Sequence, residues 1–179
     1  MGHIAGAYFI YVGYERLRGT NRIDGWFIPV LVVASLVPDL IDKPLAWYFG
    51  VLPTGRSLGH SLLFLVPLVI VSVAYFRSRD RPELGVAVAV GCLSHIALDA
   101  LPVLWDDEAS ADFLLYPYWT VEPYETTAPT VIELLLASLA DPYFLLEFVL
   151  LGIAIVVWLR DGKPGLSVIK DTTRDLLAR

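Results

Sequence analysis

The chain has 179 residues, more than half of them hydrophobic at 56%, and a formal net charge of −6. Its mean hydropathy of +0.63 points to an integral membrane protein, and its length allows one domain. The acidic balance argues against nucleic acid as a partner, and the lone Cys92 excludes an internal disulfide and a thiolate metal cluster.

Taken in order, the apolar runs predict an all-α helical bundle of about five short transmembrane helices. His3 to Arg18 opens the chain with an apolar segment that ends in Tyr14, Arg16 and Arg18, residues suited to an interface. No basic n-region precedes it, so no signal peptide is expected. Trp26 to Val37 is the second run, and Pro38 is expected to close it because proline disfavours helix in the residue before it. Asp39 to Arg56 mixes charge with Pro44, Pro53 and Gly55, and reads as a short interfacial helix and a loop. Ser61 to Phe76 and Leu84 to Leu104 are the third and fourth runs. Residues 105–141 form an acidic, aromatic loop in which Thr130 to Leu139 reads as a short helix. Pro142 to Leu159 is the last span. The domain organisation is thus a membrane domain over 1–160 and a polar cytoplasmic tail over 161–179.

Lysine and arginine set the orientation. Arg16, Arg18, Arg22, Arg77, Arg79, Arg81, Arg160, Lys163, Lys170, Arg174 and Arg179 fall on one side, and only Lys43 and Arg56 on the other. Eleven against two predicts a multi-pass membrane protein with its N-terminus and loop 105–141 outside and its C-terminus in the cytoplasm. On that topology His3, Asp39, Asp42 and His60 lie at the outer ends of their helices. Asp99 lies roughly 7–8 Å below the outer end of the fourth span at 1.5 Å per residue. His95 is one turn deeper, and Glu147 is at a depth similar to that of Asp99.

Each motif has an ordinary reading. Asp39 and Asp42 at i, i+3 suit a helix cap. Arg56 is one turn before His60 and suits a lipid-headgroup anchor. His95 and Asp99 at i, i+4 suit a polar staple between helices. Together, three imidazoles and three carboxylates converging on one membrane face suit a divalent metal, zinc or else manganese. A cation also explains how a carboxylate such as Asp99 stays charged among apolar helices. The candidate ligands are His3, Asp39, Asp42, His60, His95 and Asp99, with Glu147 as an extra ligand or a carboxylate that orients one. Six exceed a single tetrahedral site, which leaves open two metals or one metal with orienting carboxylates.

Four motifs carry a resemblance. His3, Pro38-Asp39-Leu40-Ile41-Asp42, Arg56-Ser57-Leu58-Gly59-His60-Ser61 and Gly91-Cys92-Leu93-Ser94-His95-Ile96-Ala97-Leu98-Asp99 follow in order and approximate spacing. They resemble the YdjM-like family of inner-membrane-associated metal-dependent hydrolases. The likeness runs from residue 3 to about residue 119, where Tyr116-Pro117-Tyr118-Trp119 is similar to the family's aromatic-proline segment. The resemblance implies that the same six residues ligate metal and that the chain is a hydrolase. A more distant likeness to bacterial zinc-dependent phospholipase C implies phosphoester cleavage. The expected function is hydrolysis of a phosphoester, a phospholipid headgroup among the candidates, at the outer membrane face. Asp39 or Asp42 would serve as base or bridging group and Arg56 as the phosphate clamp. The alternatives are a non-catalytic membrane protein with a structural metal or polar cluster, and a divalent-ion transporter. Membrane lipid is the expected partner in each case.

Overall fold

In the computed structural model, residues 2–19, 25–123 and 142–178 are described, together with 132, 136 and 139. Among these the architecture is all helical, with no strand. The α-helices are α1 (Gly2–Arg18), α2 (Phe27–Ala34), α3 (Val37–Trp47), α4 (Leu62–Ser78), α5 (Pro82–Ala100), α6 (Pro142–Arg160) and α7 (Leu166–Leu177). Two 3-10 turns, Leu101–Leu104 and Asp112–Leu115, follow α5. The expected helix within 130–139 lies outside the described residues.

Helix α5 is the axis of the bundle and packs against α1, α2, α3 and α4. Pro82 and Glu83 start it well, since a proline costs nothing in the first turn and a carboxylate suits the positive helix end. With the 3-10 turn that continues it, Pro82–Leu104 is the one segment among the described residues long and apolar enough to cross a membrane. The second apolar run is not one helix. Helix α2 has only 8 residues, about 12 Å at 1.5 Å per residue, and breaks at a turn over Ser35 and Leu36. Pro38 does not close that run as expected. It sits in the first turn of α3, where its missing N–H leaves nothing unpaired. The predicted polar tail contains α7, which begins after Gly165 in the left-handed region at φ 86°.

Small residues set the closest approaches. A Cβ on Gly91 would lie 2.8 Å from the Leu31 carbonyl oxygen and 2.8 Å from the Ser35 amide nitrogen, so α2 meets α5 there almost backbone to backbone. One core forms where Ala5, Tyr8 and Tyr11 of α1 meet Phe27 and Leu31 of α2, Ala87 of α5 and Ala154 of α6. A second joins Ala34, Leu65, Val69, Cys92, Ile96 and Phe113. Cys92 is a buried small side chain whose thiol donates to the Ala34 carbonyl at 3.4 Å, as its apolar setting leads one to expect.

Candidate metal centre

Four separate segments meet at one end of the bundle. Helix α5 contributes His95 and Asp99, α3 contributes Asp39 and Asp42, α1 contributes His3, and the loop before α4 contributes Arg56 and His60. The close crossing at Gly91 carries the Ser35 carbonyl over α5, where it accepts a hydrogen bond from His95 Nδ1 at 2.6 Å. A carbonyl can only accept, so the proton sits on Nδ1 and the Nε2 of a neutral His95 presents its lone pair inward.

His60 is held in the same manner by a carboxylate. Its Nδ1 lies 2.8 Å from Asp42 Oδ2. Asp42 is fully buried and also accepts from three backbone amides: Ser57 at 2.6 Å, Gly59 at 2.6 Å and His60 at 3.2 Å. That loop can close only over a glycine, because a Cβ on Gly59 would lie 2.7 Å from the Pro38 carbonyl oxygen. Ser61 finishes the loop. Its Oγ accepts from the Leu63 amide at the start of α4, and donates to the Tyr116 carbonyl at 2.5 Å. This is what the His60-Ser61 pair and the segment from Tyr116 to Trp119 have to do with each other. Phe113 closes the floor, edge-on to the His60 ring at 6.0 Å between centroids.

The two inward nitrogens, His60 Nε2 and His95 Nε2, are 3.1 Å apart. Asp99 Oδ2 lies 3.0 Å from the first and 3.3 Å from the second. Asp39 Oδ1 lies 3.6 Å from the first and 3.8 Å from the second. Each Nε2 thus faces one oxygen of Asp99 and one of Asp39, with no donor among them unless an imidazole is protonated. Nitrogen and oxygen ligands about 2.0–2.1 Å from a tetrahedral ion are about 3.4 Å from one another, close to these separations. The donor set therefore fits a divalent ion of borderline hardness, and two overlapping groups, His60/His95/Asp99 and His3/Asp39/His95, could hold one. Burial works against a charge on His60, but its bonds to Asp42 and Asp99 outweigh that and raise its pKa above the ordinary imidazole value. A proton on His60 and a metal ion thus compete for one place.

The remaining expected residues stand around this ring. His3 stacks on His95 at 3.8 Å between centroids, with its Nε2 3.7 Å from Asp99 Oδ1. Its Nδ1 is buried with no hydrogen-bond partner among the described residues, so a nitrogen remains to be satisfied. Arg56 reaches Asp99 Oδ1 at 3.0 Å. Asp42, expected as ligand and catalytic group, stands behind His60 with its oxygens committed to the loop and the ring. Glu147 meets the start of α1. Its Oε2 accepts from the Gly2 amide at 3.0 Å, capping α1 one residue before His3.

Two groups escaped the sequence reading. Ser35 acts through its backbone carbonyl, which no residue pattern reveals. Lys43 bonds Asp39 Oδ2 at 2.6 Å, and its spacing of i, i+4 from Asp39 was a legible signal.

No curated protein and no solved structure matches the chain. The family described as "YdjM inner membrane protein" matches residues 1–162. That span holds all six predicted ligands, Arg56, and the two groups, Ser35 and Asp42, that fix the imidazoles. The chain belongs to the YdjM inner membrane protein family.

Proposed function

We propose that this chain is a multi-pass membrane hydrolase that uses a divalent metal, zinc before manganese, to cleave a phosphoester at the outer membrane face. The observation that carries this reading is the ring of inward-facing acceptors, His60 Nε2, His95 Nε2, Asp99 Oδ2 and Asp39 Oδ1, with each imidazole pinned from behind. His60, His95 and Asp99 would hold the ion, with Asp39 and His3 beside them. The bound metal supplies Lewis acidity toward a phosphoryl oxygen and brings the pKa of water toward neutral.

The chain's own groups do the rest. Asp42 and the Ser35 carbonyl keep the two imidazoles in the tautomers that face inward. Asp39 is the more exposed of the two ring carboxylates, 19% against 5% for Asp99, and is the better placed to take a proton from attacking water. Arg56 is half exposed at the rim, where its planar fork can pair with phosphate oxygens. A closed structural metal site has no need of such a group.

The membrane placement has its own support. With α1, α4, α5, α6 and the α2–α3 pair in the bilayer, Trp105, Tyr118, Tyr48 and Phe49 lie exposed around the site end, as interfacial aromatic residues do. The site is then at headgroup level, and the arginine-rich turns and α7 are cytoplasmic. The test is a phosphoester assay on the detergent-purified chain, with phosphatidylglycerol and with p-nitrophenyl phosphate, after metal loading and after chelation. Turnover that needs the metal and disappears in Asp99→Ala supports the reading. Bound metal with no turnover on either class of substrate contradicts it.

A further inference from the structure

From Gly25 to Arg56 the sequence has only Lys43 and Arg56 as lysine or arginine, and between Arg81 and Arg160 it has neither. The site end also carries Asp106, Asp107, Glu108 and Asp112, all exposed. Neither cation is paired with them. Lys43 Nζ is on Asp39 Oδ2 at 2.6 Å, and Arg56 is on Asp99 Oδ1 at 3.0 Å. Each ring carboxylate therefore turns one oxygen to His60 and His95 and the other to a cation.

The two cations belong to one surface. A Cβ on Gly55 would lie 3.3 Å from Lys43 Cγ, so the loop that carries Arg56 rests on the stem of Lys43. The Trp47 ring, 5.8 Å from Lys43 Nζ, flanks that stem on the next turn of α3. Both cationic side chains remain partly open, 40% exposed for Lys43 and 54% for Arg56. An ammonium has three donors and a guanidinium five, and among the described residues each of these side chains is matched to one carboxylate oxygen. Stability does not explain the Lys43–Asp39 pair, since exposed i, i+4 ion pairs contribute little. Charge does. Asp39 and Asp99 cancel Lys43 and Arg56, and Asp42 is held by three amides and an imidazole. A divalent ion added to this balance leaves the site positive and ready for an anion.

We propose that Lys43 and Arg56 form a paired-cation clamp for the phosphate group of the substrate, with Lys43 a substrate-binding residue beside the metal centre. The clamp rests on the hydrolase reading, and it selects a phosphate ester over a neutral ester. Lys43 adds a compact charge, and Arg56 a planar fork, on either side of the two carboxylates.

The test measures binding apart from turnover. The full chain is purified in detergent and loaded with zinc. Its metal content is measured, and its affinity for inorganic phosphate and for dihexanoyl phosphatidic acid is determined by calorimetry, for the native chain and for Lys43→Gln, Lys43→Arg and Arg56→Gln. Lys43→Gln and Arg56→Gln are expected to keep their zinc and to bind phosphate about tenfold more weakly, and Lys43→Arg to recover most of the loss. Unchanged phosphate affinity in a zinc-loaded Lys43→Gln overturns the clamp, as does a native chain that binds no phosphate. Loss of zinc from Lys43→Gln, with Lys43→Arg keeping zinc but binding phosphate no better, also overturns it and makes Lys43 a structural partner of Asp39. Tighter Lys43-dependent binding of the lipid than of inorganic phosphate assigns the clamp to a headgroup, and equal binding assigns it to a free phosphate ester. Lys43-dependent binding without turnover of any phosphoester leaves the clamp standing and removes the hydrolase reading alone.

Discussion

At one end of the bundle Asp42 accepts three amides and an imidazole while fully buried. At the other, Tyr11 and Phe27 stack at 3.9 Å over a floor of Ala7, Ala87 and Ala154. Polar contacts there include Tyr8 to Asp161 at 3.3 Å, Arg16 to Asp161 at 3.6 Å and Trp158 Nε1 to the Pro164 carbonyl at 3.0 Å. The first end is specified by direction, because each donor has one acceptor it must reach. The second is specified by volume, because small residues let helices approach and large ones fill what is left. A protein built this way can lose its chemistry without losing its helices, and the reverse.

The sharpest way to break the comparison is to cross it. His95→Ala is expected to lower metal affinity by at least about a hundredfold while leaving the helical circular dichroism signal intact. Phe27→Ala is expected to cost about 3–5 kcal/mol of stability with one ion still bound per folded chain. If Phe27→Ala emptied the site as thoroughly as His95→Ala, the two ends would not be separable. Next in size is Asp42→Asn, which keeps a side chain of the same shape and removes the charge. An expected loss of about 10–100-fold in metal affinity, read by competition with a chromophoric chelator, would mark Asp42 as the group that orients His60.

Gly91 is where the two ends meet, and Gly91→Ala tests both at once. The added methyl meets backbone atoms, so a stability loss of about 1–3 kcal/mol is expected, together with weaker metal binding as the Ser35 carbonyl moves off His95. Gly152→Ala on α6 meets nothing within 4 Å and serves as the neutral comparison. The smallest effect is expected for Glu147→Ala. It removes a helix cap worth about 1 kcal/mol and should weaken metal binding a few-fold by loosening His3.

The pH dependence sharpens the same contrast. The pKa of folded His60 is raised by its carboxylates. The metal-free chain should therefore be most stabilised by this group below its unfolded value of about 6.5, and lose that contribution as pH rises through the folded pKa. Metal affinity should run the other way and fall as the solution is acidified, because the ion displaces the His60 proton. Thermal melts of the two forms across this range would show the curves converging at low pH.

The sequence showed the direction-specified end well, and the reason is chemical. His95 and Asp99 are types that seldom occur in apolar runs, so their presence there needed a purpose, their helical spacing fixed their shared face, and His3, Asp39 and His60 fell at helix ends on the same side of the predicted topology. It said less about division of labour. Asp39 and Asp42 are the same residue type one turn apart, and only the path of the loop, which lays three amides on Asp42, separates a ring carboxylate from an orienting one. Ser35 was out of reach because it acts through a carbonyl. Lys43 was legible as a partner for Asp39 but was counted only as a topological charge. In the fold, hydropathy located α5 because its run is continuous. It joined α2 to the start of α3 because the turn at Ser35 and Leu36 interrupts the chain's direction without interrupting its apolarity. The tail read as polar because Leu166, Ile169, Leu176 and Leu177 are spaced among charges, a pattern that becomes a stripe only once wound into α7.

The central claim is that His60 and His95 turn their Nε2 atoms to a common cation. Zinc K-edge absorption on the full chain, purified without chelator and metal-loaded, reads this directly. The account predicts about one tightly held ion per chain, with two imidazoles and carboxylate oxygen at about 2.0–2.1 Å, and one imidazole fewer for any ion that His95→Ala retains. A native chain that takes up no ion above background, or an ion whose coordination is the same in His95→Ala, would contradict it.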